Sequence, residues 1–485
     1  MIQNKVALFI TMLCVSIFMF TGCDRSSSEK VLSVDGHLFS GVLRINPDNP
    51  RYFTDDSGKA IYLTGSHTWA NGKIHFGPVS WDNFDYENYL NYLINWNHNF
   101  IRLWMWEHPQ GEGPNGIVIV DPVPFKRTGP GSANDGKPKF DLTQFNQAYF
   151  DFLRSRVIAA RDKGIYISIM LFSGDMTYGN TWHYHPFNVA NNINEIDADL
   201  NEDGTGLEYY SLENPQIKAI QKSYIRKIVD TVNDLDNVLY EIGNEINPSS
   251  DSTNWQYYMI KYIKSYESSK PKQHPVGMTA AYPLWNDLNK PLFNSPADWI
   301  SPGGKSGSLP DYGNDPPVND GSKVILLDTD HISPRPSGRH WAWKSFLRGY
   351  NPIYMDSIAP WPYASINESW QDFNYPIRWE QRKAMGYALA YAKKMNLKDM
   401  KPFSDLSSTS YCLANLGVEY LIYQPILNST FSVKLAAGTY SYEWFNPGSG
   451  SIVVSTGDFV ANGSTKSFTP PFNSDSVLYI YASSR

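Results

Sequence analysis

From Ile61 to Asp356, short apolar runs alternate with longer stretches whose apolar side chains recur at helical spacing. The short runs predict β-strands at Ile61–Gly65, Phe100–Trp104, Ile165–Leu171, Val238–Ile242, Pro275–Thr279, Trp299–Ser301, Val324–Leu327 and Pro352–Met355. The longer stretches predict amphipathic helices. Tyr86, Tyr89, Leu90, Leu93 and Trp96 share one face, and Phe145, Ala148, Tyr149, Phe152, Leu153 and Val157 share a second. Ile217, Ile220, Tyr224, Ile225 and Ile228 form a third. Local punctuation agrees: Asn97-His98-Asn99 breaks the first helix, Gly164 ends the second, and Asn214-Pro215 gives the third a cap and a first-turn proline. Such alternation implies parallel strands joined by crossover helices, and about eight units over this length favour an α/β fold of the closed (β/α)8 TIM barrel type. An open doubly wound sheet is the weaker alternative, because no glycine-rich phosphate loop follows the first strand.

After about Lys401 helical periodicity stops. Short β-prone runs such as Glu419–Tyr423, Phe431–Leu435 and Val477–Tyr481 are divided by Gly, Pro, Asn and Ser, which predicts a small all-β sandwich. The expected division is therefore a barrel over 43–400 and a sandwich over 401–485. Ahead of these, Lys5 and the apolar run Val6–Phe20 read as a secretory signal, too short and wrongly flanked for a spanning helix. The signal ends in Phe20-Thr21-Gly22-Cys23, which resembles a bacterial lipobox, so Cys23 is the expected lipidation site of a signal peptide covering 1–23. A polar tether over 24–42, with Ser26, Ser27 and Ser28, follows. The expected location is a bacterial membrane, most readily the outer membrane, with the protein facing the periplasm or the cell surface and held through the N-terminal lipid alone.

Charge and cysteine content narrow the partners. A net charge of −7 without a basic block argues against nucleic acid. Of three cysteines, Cys14 leaves with the signal and Cys23 carries lipid, so Cys412 has no partner for a disulfide and the core must hold the chain together. The 15 Trp, 32 Tyr and 24 Phe suit the C–H faces of sugars, though most such rings serve the core.

The sharpest chemical signal is Tyr240-Glu241-Ile242-Gly243-Asn244-Glu245, closing the fourth strand, because barrel enzymes place their catalytic groups at the C-terminal ends of strands. Glycoside hydrolysis needs a carboxyl group that protonates the leaving oxygen and a second carboxylate opposite it. Glu245 fits the first part, and Asn244 can hydrogen-bond a sugar hydroxyl. The seventh strand ends in Asp328-Thr329-Asp330-His331; the two aspartates are two residues apart, so strand alternation puts both on one face and each is a candidate for the second part. Other strand ends offer His67 and Trp69, then Arg102, Trp104, Trp106 and Glu107, the last a spare carboxylate. The loop Trp182–Asn188, with Trp182 and His185, is expected to form a sugar-binding wall, and His331 is a further substrate-contact candidate. Asp199-Leu200-Asn201-Glu202-Asp203-Gly204 has the spacing of a calcium loop, but Tyr210 stands where a bidentate Glu belongs. A solvated acidic loop is the favoured reading and structural calcium the lesser one; no metal is expected in the site and no cofactor is required.

Asn244-Glu245 at this place resembles clan A of the glycoside hydrolases, whose acid/base is the Glu of an Asn-Glu pair closing the fourth strand. The resemblance implies that Glu245 is the acid/base and that Arg102 steadies the nucleophile. That clan's nucleophile is a Glu closing the seventh strand; this chain has aspartates there, which leaves the stereochemistry open. More narrowly, Arg51–Trp69 and Leu327–Asp356 resemble apiosidase-like bacterial barrel hydrolases. Tyr411–Asn415, Glu443–Pro447 and Phe468–Phe472 resemble the C-terminal domain of that group, which carries a collagen-binding label without the charge or groove of a triple-helix reader. The expected activity is hydrolysis of O-glycosidic bonds in an oligo- or polysaccharide of plant or host origin. The alternatives are a non-catalytic surface glycan-binding lipoprotein on a degenerate barrel and, more remotely, a matrix-binding or proteolytic protein. The latter lacks HExxH, a catalytic Cys and a serine elbow.

Overall fold

The computed structural model describes residues 38–483 apart from 73, 77–84, 114–115, 175, 177–179, 284–288 and 357–375. The signal segment, Cys23 and most of the tether lie outside the described residues. Eight parallel strands make one sheet: β1 (Gly65–His67), β2 (Phe100–Leu103), β3 (Tyr166–Met170), β4 (Val238–Glu241), β5 (Val276–Thr279), β6 (Trp299–Ser301), β7 (Val324–Asp328) and β8 (Asn351–Met355). Each strand lies beside the next, and β8 returns to β1. The seam between β1 and β2 is closed just below the strands, where Asn99 N donates to Thr64 O at 3.0 Å and the Asn99 side-chain carbonyl accepts from Thr64 N at 2.9 Å. This is the expected TIM barrel.

Seven α-helices of six residues or more accompany the described strands: α1 (Tyr86–Asn95), α2 (Gln147–Arg161), α3 (Pro215–Val232), α4 (Ser250–Glu267), α5 (Asn289–Asn294), α6 (Arg339–Leu347) and α7 (Pro376–Lys394). Their starts follow the sequence: Asp85 accepts from Asn88 N, Asn146 from Ala148 N, and Asn214 from both Gln216 N and Ile217 N. None of the described helices is long and apolar enough to cross a membrane.

Strand alternation sorts the core into two layers. Ile101, Ile167, Ile169, Tyr240 and Leu327 face outward and pack with helix residues such as Leu153, Ile225, Ile228 and Met259. Inward, Phe100, Tyr166, Leu239, Trp299, Val324, Leu326 and Ile353 fill the lower barrel, closed beneath by Phe39, Leu43 and Phe53. Two residues further along the strands the same face carries His67, Arg102, Glu241, Ser301 and Asp328, so polar groups stack on an apolar floor. The Trp299 indole occupies the space a side chain on Gly277 would need, since a Cβ there would lie 1.9 Å from its ring. Gly277→Ala is therefore expected to cost at least about 1–3 kcal/mol through overpacking. Urea titration checks this, and an unchanged midpoint would contradict it.

The first strand starts later than its apolar run suggests. Ala60–Ile61 pairs in an antiparallel sheet with Phe53–Thr54 and Arg44–Ile45, and the barrel ladder begins only at Gly65. In between, Leu63 N is satisfied by the Asn351 side chain and the Thr64 hydroxyl by Pro352 O, so side chains stand in for the ladder.

Beyond α7, a seven-stranded antiparallel sheet lays one face on the barrel helices. Trp343 stacks on Tyr423, Tyr391 meets Phe445, and Arg339 pairs with the fully buried Asp475. The other face carries Tyr420, Ile422, Trp444 and Ile480 and is covered by the two-stranded sheet Phe431–Lys434 and Thr465–Phe468. This is the expected β domain, docked through shared core.

Candidate active site

The site grows from the end of β4. Leu239 and Glu241 point inward, and then the chain leaves the ladder. Asn244 N donates to Phe172 O at 3.0 Å, Gly174 N to Asn244 O at 2.8 Å, and the Thr279 hydroxyl to Gly243 O at 2.9 Å. Pinned this way, Glu245 takes a φ of +51°, a left-handed conformation uncommon for a residue with a Cβ, and is only half-buried. Gly174 makes the turn possible, because a Cβ there would sit 2.3 Å from Asn244 O and 2.4 Å from Glu245 O.

Arg102 is the hub beneath. Its guanidinium binds both oxygens of Glu241, donates to Asp328 Oδ2 at 2.9 Å and to Asn244 Oδ1 at 2.7 Å, and lies 3.6 Å from Asp330 Oδ2. Burial opposes its charge, but these carboxylates, Glu241 foremost, outweigh burial and raise its pKa above the ordinary value. Asn244 Oδ1 also lies 3.2 Å from His331 Nε2, which fixes the orientation of the amide.

Asp328 and Asp330 have separate places. The strand ends at Asp328, whose side chain caps a tight turn over Thr329–His331 by accepting from Asp330 N at 2.9 Å. The strand periodicity that would align the two aspartates therefore stops between them. Asp328 is 1% exposed, with Oδ2 facing Arg102 and, at 2.8 Å, His67 Nε2. His67 Nδ1 accepts from the Trp104 indole at 3.1 Å, so the imidazole proton belongs on Nε2, toward Asp328. Burial disfavours the Asp328 carboxylate, but His67, Arg102 and His331 outweigh it and hold its pKa well below the usual range. Asp330 instead turns toward Glu245: one oxygen of each and a nitrogen of His331 lie within 4.8 Å of one another. Among the described residues this is the one such cluster of three metal-ligand types. Both His331 nitrogens already have partners, Ser301 Oγ at 2.8 Å and Asn244, so the cluster fits an acid pair better than a resident cation. Burial, helped by Arg102, pushes the His331 pKa down to about 4, so the ring is neutral near pH 7.

The remaining sequence candidates divide. Trp104 is buried under the Arg102 guanidinium and next to Trp69 and Trp106, both partly buried. Glu107 is buried with its carboxylate accepting from Ser173 N at 2.9 Å, which braces the end of β3. Trp182 and His185 do not form an open wall: they stack on each other and are buried beside Phe187 and Tyr209, because the loop folds inward as core. In the acidic loop, Asp199 and Asp203 accept from backbone N–H groups of the loop itself. Sequence reading missed Glu241 as the partner of Arg102, although a charge inside an apolar strand signals a buried pair. It also missed Gly174, whose local sequence carries no such signal.

A parallel eight-stranded barrel followed by an antiparallel β domain defines the structural class, and solved structures of that fold match. A glycoside hydrolase family 5 structure from Bacteroides vulgatus aligns over 92% of this chain and 94% of its own, at 14% identity and a TM-score of 0.58. A second structure from that organism, whose glycoside hydrolase assignment is itself provisional, aligns over 92% and 83%, at 12% identity and a TM-score of 0.61. A third, described simply as a glycoside hydrolase, covers 92% and 98%, at 12% identity and a TM-score of 0.55. At these identities the similarity is one of fold. Residues 121–287 match a family described as a domain of unknown function (DUF6298). No curated protein matches.

Proposed function

We propose that the protein is a glycoside hydrolase in which Glu245 is the acid/base and Asp330 the opposing carboxylate. The observation that carries this is the placing of their oxygens within 4.8 Å of each other, while Asp328, buried like Asp330, commits its carboxylate to Arg102, His67 and the turn it caps. Carboxyl groups about 5–5.5 Å apart belong to retaining hydrolysis, and about 6.5–9.5 Å to inversion; the short gap supports retention. Glu245 protonates the leaving glycosidic oxygen as Asp330 attacks the anomeric carbon. The same Glu245 then takes a proton from the water that releases the sugar. Arg102 and Asn244 position the pair from below. The sugar and linkage are read from whichever plant or host glycans the enzyme opens. Export and a lipid anchor at Cys23 belong to the same reading.

The test is release of reducing sugar from a panel of plant and host glycans, followed by proton NMR of the first-formed anomer. Retained configuration is expected. An inverted product rejects Asp330 as nucleophile, and no released sugar rejects the hydrolase reading.

A further inference from the structure

One cation beside the acid pair, Arg335, is exposed. Arg335 follows the short strand Ile332–Ser333, which pairs with Gly304–Lys305 just beyond β7. Its Nη2 donates to Asp330 Oδ1 at 3.1 Å, and its guanidinium carbon lies 5.0 Å from the centre of the Trp69 ring. The side chain is nevertheless 41% exposed. A guanidinium has five N–H donors; among the described residues one of them is hydrogen-bonded to a side chain. Arg335 is therefore held by a ring and a carboxylate, with donors left over toward solvent beside the acid pair.

Its surroundings decide what those donors meet. Glu107, Glu241, Asp328, Asp330, Glu245 and Asp356 bring six carboxyl groups to this end of the barrel, against Arg102 and Arg382, which are buried and engaged with Glu241, Asp328 and Asp356. An anionic sugar entering such a site is repelled unless a cation receives it, whereas a neutral sugar needs no exposed guanidinium there. A planar fork held in place is suited to two-point binding of a carboxylate or sulfate. Resting on the hydrolase reading above, we propose that Arg335 is a specificity residue that binds the anionic group of an acidic sugar, a uronate carboxylate or a sulfate ester, next to the scissile bond.

The experiment uses matched pairs that differ only in the acidic group. Oligogalacturonides are set against their carboxyl-reduced forms, and sulfated glycosaminoglycan oligosaccharides against their desulfated forms. Affinity is measured by calorimetry in the full chain carrying Glu245→Gln, so binding is read without turnover and a failure of the hydrolase reading shows separately, as absent sugar release by the unsubstituted enzyme. The acidic member of one pair is expected to bind about ten- to a hundredfold more tightly. That preference should collapse in Arg335→Ala and survive only in part in Arg335→Lys, which keeps charge but not the fork. The pair that shows it tells carboxylate from sulfate. Equal binding of both members, a preference that persists in Arg335→Ala, or no binding of any acidic member overturns the assignment.

Discussion

Glu245→Gln is expected to lower sugar release by about 10²–10⁴-fold, the usual contribution of a general acid, with the melting temperature nearly unchanged. Gln keeps the shape of the side chain, and the turn that presents it is set by backbone bonds from Phe172, Gly174 and Thr279, which the substitution leaves alone. The half-buried position also spares the protein a deep desolvated charge at 245. The loss should fall mainly in kcat, because proton donation strengthens only in the transition state. Turnover close to that of the unsubstituted enzyme would remove Glu245 from the mechanism.

Acid should destabilise the protein steeply between pH about 6.5 and 4. Burial pushes His98, His108 and His331 down to about 4 and holds His185 well below the ordinary histidine value. An unfolded histidine titrates near 6.5. Below that pH the unfolded chain binds protons that the folded one refuses, so stability falls as pH falls. Each group contributes up to about 1.4 kcal/mol per pH unit, and the four together approach a slope on the order of 5 kcal/mol per unit near pH 5. Asp328, depressed by His67 and Arg102, adds a further loss below about pH 4. Calorimetric melting at pH 7, 6 and 5 checks the sign and the steepness; a flat melting temperature across that range would contradict the neutral, buried state of these rings.

The barrel was legible in the sequence because its physics is local. Val238–Glu241 and Val324–Asp328 are apolar runs between helical faces, and caps such as Asn214-Pro215 announce themselves. The hairpin Phe125–Ser132 with Pro138–Phe145 was not expected, although Asp135-Gly136 is a hairpin signal. Gly129, Pro130 and Gly131 disguise its first strand, and its register shifts twice. Glu245 was legible as a strand-end carboxylate. The choice between Asp328 and Asp330 was not, because it depends on where the strand stops. That point is set by Asp328 capping the turn and by two tertiary partners, His67 and Arg102, that lie far away in sequence. Trp182 and His185 misled for the opposite reason: an aromatic loop reads the same whether it lines a cleft or packs as core.

The central claim is that Asp330, not Asp328, faces Glu245 as the nucleophile. Azide rescue of Asp330→Ala on a glycan the enzyme cleaves tests it most directly. The account predicts near-complete loss of activity, restored by azide with a glycosyl azide of inverted anomeric configuration as the product. Full activity in Asp330→Ala without azide, or the same rescue appearing in Asp328→Ala instead, would contradict it.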